Sequence, residues 1–224
     1  RSPTNQTGSI IDYADVRRML LTMKSKTYAA RAICLATAVA IDMGKATNER
    51  NWKLRAALLT PMAKSFGTET GIEVSNLGIQ IHGGMGFVEE TGAAQFWRDV
   101  RVTSIYEGTN GIQAIDLVSR KLMDGGEAAF ELINEINDLC QNTSNDLSKL
   151  ALELKIALNT LSEATSWMLS QKDLNERLAG ATPYLESFAL VLGAFFHLKG
   201  AIADDKTQSR VKLASFYINH ILPS

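Results

Sequence analysis

A lone carboxylate, Glu107, stands in the run Ile105-Tyr106-Glu107-Gly108-Thr109-Asn110-Gly111-Ile112-Gln113, at a short break between two helical patterns. An acid between an aromatic ring and a glycine can sit at a helix junction with its backbone N–H free, and Gly108 lets another molecule come close. The chemistry open to it is proton abstraction by a positioned base. The alternative is a solvated loop acid, which the tripeptide alone favours. Thr109 and Asn110 are suitable N-caps for a helix starting near Gly111, where free N–H groups and partial positive charge favour an anion, although capping alone is the simpler role. Upstream, Gln80-Ile81-His82-Gly83-Gly84-Met85-Gly86-Phe87 reads as a helix C-terminus with a turn. With no strand before them, these glycines do not make a dinucleotide fingerprint. His82 has no evident acid/base partner and is assigned a hydrogen-bonding or packing role. His197 and His220 are isolated, no His/Cys/Asp/Glu set has metal-ligand spacing, and no metal is expected.

The elements that would position these residues are helical. Asp12 or Asp15 can cap a long first helix whose apolar positions, Val16, Met19, Leu20, Met23 and Ile33, continue to about Met43. A second helical region begins near Trp52, is expected to break or kink at Thr60-Pro61, and resumes towards Ile81 before the glycine cluster ends it. A shorter helix covers Gln95 to Val102. After the Glu107 break, Ile112, Ile115, Val118 and Leu122 recur on one helical face, giving four helical elements in the first 122 residues or so. Asp124-Gly125-Gly126 is the best internal boundary. Beyond it Leu132, Ile133 and Ile136 mark one helix, Leu147 to Leu161 a longer one, and the run Phe188 to Leu198 a third, buried on most sides. A last helix runs from about Lys206 to Ile221. Trp52, Trp97, Trp167 and the methionines read as core, Arg98-Asp99 as structural ion pairs, and Arg17, Arg18, Lys24 and Lys26 as a solvated helix face.

The chain of 224 residues is 46% hydrophobic and 21% charged with only 4 Pro, which favours an ordinary all-α globular protein. No apolar run approaches the roughly 18 residues that span a bilayer, and no signal-peptide core is seen, so a cytoplasmic location is expected. Cys34 and Cys140 both lie in apolar helical runs and read as buried free thiols of a reducing compartment. The net charge of −1 conceals a split: residues 1–122 hold 15 Lys+Arg against 11 Asp+Glu, and residues 123–224 hold 8 against 13. The first part is the better host for an anionic ligand, though the asymmetry is modest.

In this order and spacing the two motifs, with the run from Trp97-Arg98-Asp99 to Arg120-Lys121-Leu122, resemble the C-terminal helical domain of the acyl-CoA dehydrogenases. The Thr-Asn-Gly form and the extended tail resemble a bacterial branch with an extra helical region. The resemblance covers about Ile10 to Leu122 and is weaker over the tail. It implies an all-α fold, an up-and-down four-helix bundle over 1–122 carrying flavin and substrate contacts, followed by additional helices over 123–224. It further implies α,β-dehydrogenation of an acyl-CoA thioester, with Glu107 removing the α-proton while the β-hydrogen leaves as hydride to FAD. The backbone N–H of Glu107 and a ribityl hydroxyl of the flavin would stabilise the thioester oxygen.

By the same resemblance Tyr106 and Gly108 line the acyl-thioester site, and Thr109, Asn110 and Gly111 contact FAD. Gly111 would do so through backbone only, since many relatives have Gln there. Gln80, His82, Gly83 and Gly84 would meet the adenosine-diphosphate part of an FAD held mainly by a neighbouring subunit, in a homodimer or tetramer, with electron-transfer flavoprotein as electron acceptor. The family also has an amino-terminal helical domain and a β-domain. The chain therefore looks like a fragment, expected to fold without retaining FAD or turning over substrate. Two other classes stay open: a DNA-binding superfamily relative, against which the acidic balance of 123–224 argues, and a helical assembly module.

Overall fold

The computed structural model describes residues 8–143, 145–204 and 207–223. All regular structure among them is helical, and two long helices form its frame. Helix α1, Ala14–Thr47, buries Met19, Thr22, Ser25, Ala29, Ile33, Thr37, Ala40 and Gly44, a stripe at steps of three and four. The hydroxyls in that stripe are satisfied within the helix: Thr22 donates to the Arg18 carbonyl, Ser25 to Thr22, and Thr37 to Ile33. Neither expected aspartate caps α1. A short 3-10 turn, Ile10–Asp12, leads in, Tyr13 is the cap residue, and the Arg17 guanidinium donates to the Ile11 and Asp12 carbonyls.

Helix α2, Arg50–His82, follows after two residues and so runs antiparallel to α1, against which it packs. The break expected at Pro61 does not occur, and the helix is continuous through it. A proline inside a helix costs about 3 kcal/mol, but Leu58, Leu59 and Met62 beside it are almost wholly buried and contribute roughly 1.5–3 kcal/mol each. Packing therefore overrides the local preference. Gly83, at φ 61°, ends α2 where a residue with a Cβ would be strained. The glycine cluster is more than a turn, since Gly84–Phe87 form a four-residue helix, α3.

Helix α4, Ala93–Arg101, packs back on α2 and passes into a 3-10 turn at Val102–Ser104; α5, Asn110–Asp116, continues as a π turn over Leu117–Lys121. The tail adds α6, Glu127–Asn142; α7, Ser148–Ser170; a short α8, Leu174–Ala179, absent from the sequence reading; α9, Ala181–Ile202; and α10, Ser209–Phe216, with a π turn over Tyr217–Ile221. The expected start of the last helix at Lys206 falls outside the described residues. Asp124 accepts the Gly126 and Ala128 N–H groups with its two oxygens and caps α6.

Helix α9 is the centre of the molecule. It packs on α1, α2, α5, α7 and α10, and Phe188, Leu192, Phe195 and Leu198 share one core with Ile33, Leu58, Met62 and Leu117. It is long and apolar enough to cross a membrane, contrary to the sequence reading, but most of it is buried inside the protein, which accounts for its composition. Other side chains depart from expectation as well. Trp97, Trp167, Met85 and Met123 are exposed rather than core, and Cys34 is exposed while Cys140 is buried, both free. Lys26 leaves the solvated face to pair with Glu73, whereas Arg98 forms an ion pair as expected, with Glu89 at 3.5 Å.

Candidate active site

Glu107 lies in the five-residue link between the Val102–Ser104 turn and α5. The preceding turn fixes Ile105 and Tyr106, whose N–H groups both donate to the Val102 carbonyl. The chain then reverses through two successive left-handed residues, Glu107 at φ 54° and Gly108 at φ 83°. A left-handed glutamate is strained by about 1–2 kcal/mol, and it persists because the carbonyls on this turn are tied down. Glu107 O accepts from Gln113 Nε2 at 3.2 Å, and Gly108 O accepts from Lys64 Nζ of α2 at 2.9 Å. Meanwhile the backbone N–H of Glu107 has no acceptor among the described residues, and its side chain is exposed. Tyr106 beside it is 52% exposed.

Thr109 caps α5 as its type predicts, its hydroxyl accepting the Ile112 N–H at 3.3 Å. This leaves the N–H groups of Asn110 and Gly111 without an acceptor among the described residues. At Gly111 a Cβ would meet only Thr109 Oγ1, at 3.8 Å. The Asn110 side chain is fully engaged inside the chain: Oδ1 accepts from Lys64 at 2.7 Å, and Nδ2 donates to Thr68 Oγ1 at 3.0 Å and Glu69 Oε1 at 2.6 Å. A ligand at Asn110 would therefore find backbone rather than amide.

The second motif lies further along α2. Gln80 and His82 occupy its last turn, both exposed, with the Gly83 N–H donating to the Gln80 carbonyl and His82 Nδ1 bonded to the Gly78 carbonyl at 2.7 Å. Because that carbonyl can only accept, Nδ1 carries the proton in the neutral ring and Nε2 faces outward as an acceptor. Within the cluster Gly86 has an internal reason, since a Cβ there would lie 2.3 Å from the Ile79 carbonyl oxygen. Gly84 has none: its φ is ordinary, a Cβ would meet nothing within 4 Å, and its N–H and that of Met85 have no acceptor among the described residues. Beside His82 an apolar cleft of about 440 Å³ is lined by Met23, Val74, Thr91, Phe96 and Val100.

The two motifs do not converge. Thr68 touches Asn110, the α5 residue that follows the Glu107 link, and Gln80 opens the glycine cluster; at 1.5 Å per residue roughly 18 Å of α2 separates them. Sequence reading missed Lys64, Thr68, Glu69 and Gln113. The one local signal for the first two was a polar pair four residues apart on a helix whose neighbouring face carries Leu58, Leu59 and Met62. Burial lowers the pKa of the Lys64 ammonium, while the carboxylates of Glu69 and Glu107 act to raise it. Among the described residues no group of three His, Cys, Asp or Glu is placed to hold a metal ion.

Fold and site together define an all-helical module that presents a carboxylate and an unspent N–H from one clamped helix junction, and open backbone donors from a second. The acyl-CoA dehydrogenase C-terminal domain matches residues 1–123, and a region described as acetyl-CoA dehydrogenase C-terminal like matches residues 132–224. The chain belongs to the acyl-CoA dehydrogenase family. It is 40% identical over 189 residues to 3-methylmercaptopropionyl-CoA dehydrogenase of Ruegeria pomeroyi, covering 79% of this chain and 32% of that protein. To butyryl-CoA dehydrogenase of Syntrophomonas wolfei it is 30% identical, over 99% of this chain and 40% of the relative. The fold is shared with Caenorhabditis elegans ACDH-11 in complex with C11-CoA (TM-score 0.79, 21% identity, 98% of this chain and 38% of that one). It is shared too with a Bacillus anthracis acyl-CoA dehydrogenase complexed with FAD (TM-score 0.76, 18% identity, 100% and 42%). The chain thus spans about a third to two-fifths of the length of these relatives.

Proposed function

We propose that this chain is the C-terminal helical part of an FAD-dependent enzyme that dehydrogenates an acyl-CoA thioester between Cα and Cβ, with Glu107 as the base. The observation that carries this reading is the pairing, in one residue, of an exposed carboxylate and a backbone N–H with no internal acceptor, on a turn held in a strained conformation. A carboxylate oxygen of Glu107 takes the α-proton. As negative charge gathers on the thioester oxygen, the Glu107 N–H donates to it, which is where a preorganised donor contributes most. Tyr106 and Gly108 flank the acyl-thioester position and help exclude water from it. FAD, when bound, supplies the acceptor for the β-hydrogen, which leaves with its electron pair as hydride.

The residues present fit that cofactor. The N–H groups of Asn110 and Gly111 offer donors at a helix N-terminus, and Gly84 and Met85 offer two more where no side chain of Gly83 or Gly84 obstructs approach. The distance between these two places supports a flavin site shared between subunits of a homodimer or tetramer, in which the Gln80–Gly84 end serves the FAD of the neighbour. The His82 Nε2 acceptor belongs to that second surface. Residues 1–122 supply these contacts and residues 123–224 complete their support. Electron-transfer flavoprotein is the proposed acceptor and the cytoplasm the proposed location.

A longer protein that includes this chain, purified with FAD, tests the reading by anaerobic mixing with straight-chain, branched and sulfur-containing acyl-CoA thioesters. Bleaching of the flavin absorbance by at least one thioester is the expected result. A flavin-loaded protein that no thioester bleaches contradicts it.

A further inference from the structure

Two adjacent left-handed residues in a solvent-facing link do not hold themselves, particularly when one is a glutamate. The ties that hold them come from two directions. Gln113 of α5 reaches back six residues to the Glu107 carbonyl, a local contact that travels with the link. Lys64 is different. It lies on α2, 44 residues away in the chain, and spends two of its three ammonium protons here, on the Gly108 carbonyl and on Asn110 Oδ1. Both bonds are charge-assisted and therefore about twice as strong as neutral ones. Asn110 passes the constraint on, since its Nδ2 is bonded to Thr68 and Glu69, which lie on the turn of α2 that follows Lys64.

The link is thus fastened to the rigid frame at both ends of the Gly108–Asn110 segment; Thr68 and Glu69 help hold the Asn110 end, and Lys64 alone reaches both ends. We infer that Lys64 is the positioning residue of the active site, clamping the Gly108 carbonyl and the Asn110 side chain to α2 so that the Glu107 carboxylate and N–H face the substrate together. The inference rests on the reading of Glu107 as the base. Lys64 itself stays behind the link and does not touch the thioester. Its charge also lies close enough to Glu107 for the two to interact electrostatically, which opposes the desolvation of the ammonium.

The test uses Lys64→Met, which keeps the length of the side chain and removes its charge and donors, and Lys64→Arg, which keeps both. In the 224-residue chain, amide exchange at the hydrogen-bonded N–H groups within residues 105–112, those of Ile105, Tyr106 and Ile112, is compared with that in α7. Loss of a charge-assisted bond predicts exchange about 10–100-fold faster at 105–112 in K64M, with α7 unchanged and K64R close to the parent. In the FAD-loaded longer protein, K64M should reduce flavin about 10–100-fold more slowly, measured per bound flavin at saturating acyl-CoA, with partial recovery in K64R.

Unchanged exchange at 105–112 in K64M overturns the inference, because the clamp then does not exist. Faster exchange with parental flavin reduction also overturns it, provided Glu107→Gln still abolishes reduction, and in that case the proposed function stands alone. If Glu107→Gln leaves reduction intact, the proposed function itself fails, and positioning of a base by Lys64 fails with it. Should K64M not fold, Lys64→Leu, equally without charge or donor, carries the same comparison.

Discussion

Glu107 and His197 show two opposite uses of an ionisable side chain. Glu107 is left in solvent on a turn fixed by its neighbours, available to an incoming molecule. His197 is sealed in the core, 2% exposed, between the rings of Tyr28 and Tyr217 at 4.6 and 4.5 Å, with Nε2 bonded to the Ser25 carbonyl at 3.0 Å. Burial pushes its pKa down from 6.5 to about 4, helped by Arg210 and opposed by the Ser25 bond. The folded state therefore refuses a proton that the unfolded chain accepts below about 6.5, so stability is lost as pH falls between those values. From pH 7 to pH 5 the loss assigned to His197 is about 2 kcal/mol. Urea unfolding at both pH values checks this: His197→Phe should show a shallower pH dependence than the parent, and equal dependence in the two proteins contradicts it. None of this was visible in the sequence, where His197 has no neighbour of interest. Lys64 was hidden for the same reason, because its partners are distant in the chain. The Glu107 motif was legible because its chemistry and its turn are written in consecutive residues.

At the scale of elements, the long helices follow from periodicity, and their interruptions do not. The stripe Met19 to Gly44 predicts α1, and the run Phe188 to Leu198 predicts the buried α9. Pro61 misled because the penalty of a proline is local while the burial that outweighs it is tertiary. The short α3 and α8 and the two π turns fall below the length at which a period can be read. Close packing between elements gives a sharp prediction at two helical glycines. A Cβ on Gly193 would lie 2.2 Å from the Tyr217 hydroxyl and 3.0 Å from the Ala29 Cβ, so Gly193→Ala must displace Tyr217 or α1 from α9. The expected loss is about 1–3 kcal/mol. Gly78, helical and with nothing within 4 Å of its Cβ position, should instead gain roughly 0.5–1 kcal/mol on change to Ala. Thermal melts of the two variants should move in opposite directions, and a stabilised Gly193→Ala would show that α9 is not packed as described.

For the whole molecule, the tail is part of the bundle's interior. Ile33, Leu58, Met62, Leu117 and Val118 from the first 122 residues share a core with Leu185, Phe188 and Leu192 of α9. Residues 1–122 expressed alone should therefore lose cooperative melting and aggregate, whereas the 224-residue chain melts in one transition; a cooperative melt of 1–122 at the parental temperature would contradict the shared core. Some of the exposed apolar side chains lie at the two motifs, with Phe87 at 80%, Phe96 at 74% and Tyr106 at 52% exposure, as expected of surfaces that meet other domains, a second subunit or a ligand. The most direct test of Glu107 as the base is rapid anaerobic mixing of the FAD-loaded longer protein and its Glu107→Gln variant with an acyl-CoA thioester, following the flavin absorbance. The variant keeps the shape of the side chain and every hydrogen bond of the link, so it should carry normal FAD and bind the thioester, yet reduce flavin about 10²–10⁴-fold more slowly. Reduction at the parental rate would place the base elsewhere, and loss of FAD from the variant would mean that Glu107 serves structure rather than proton transfer.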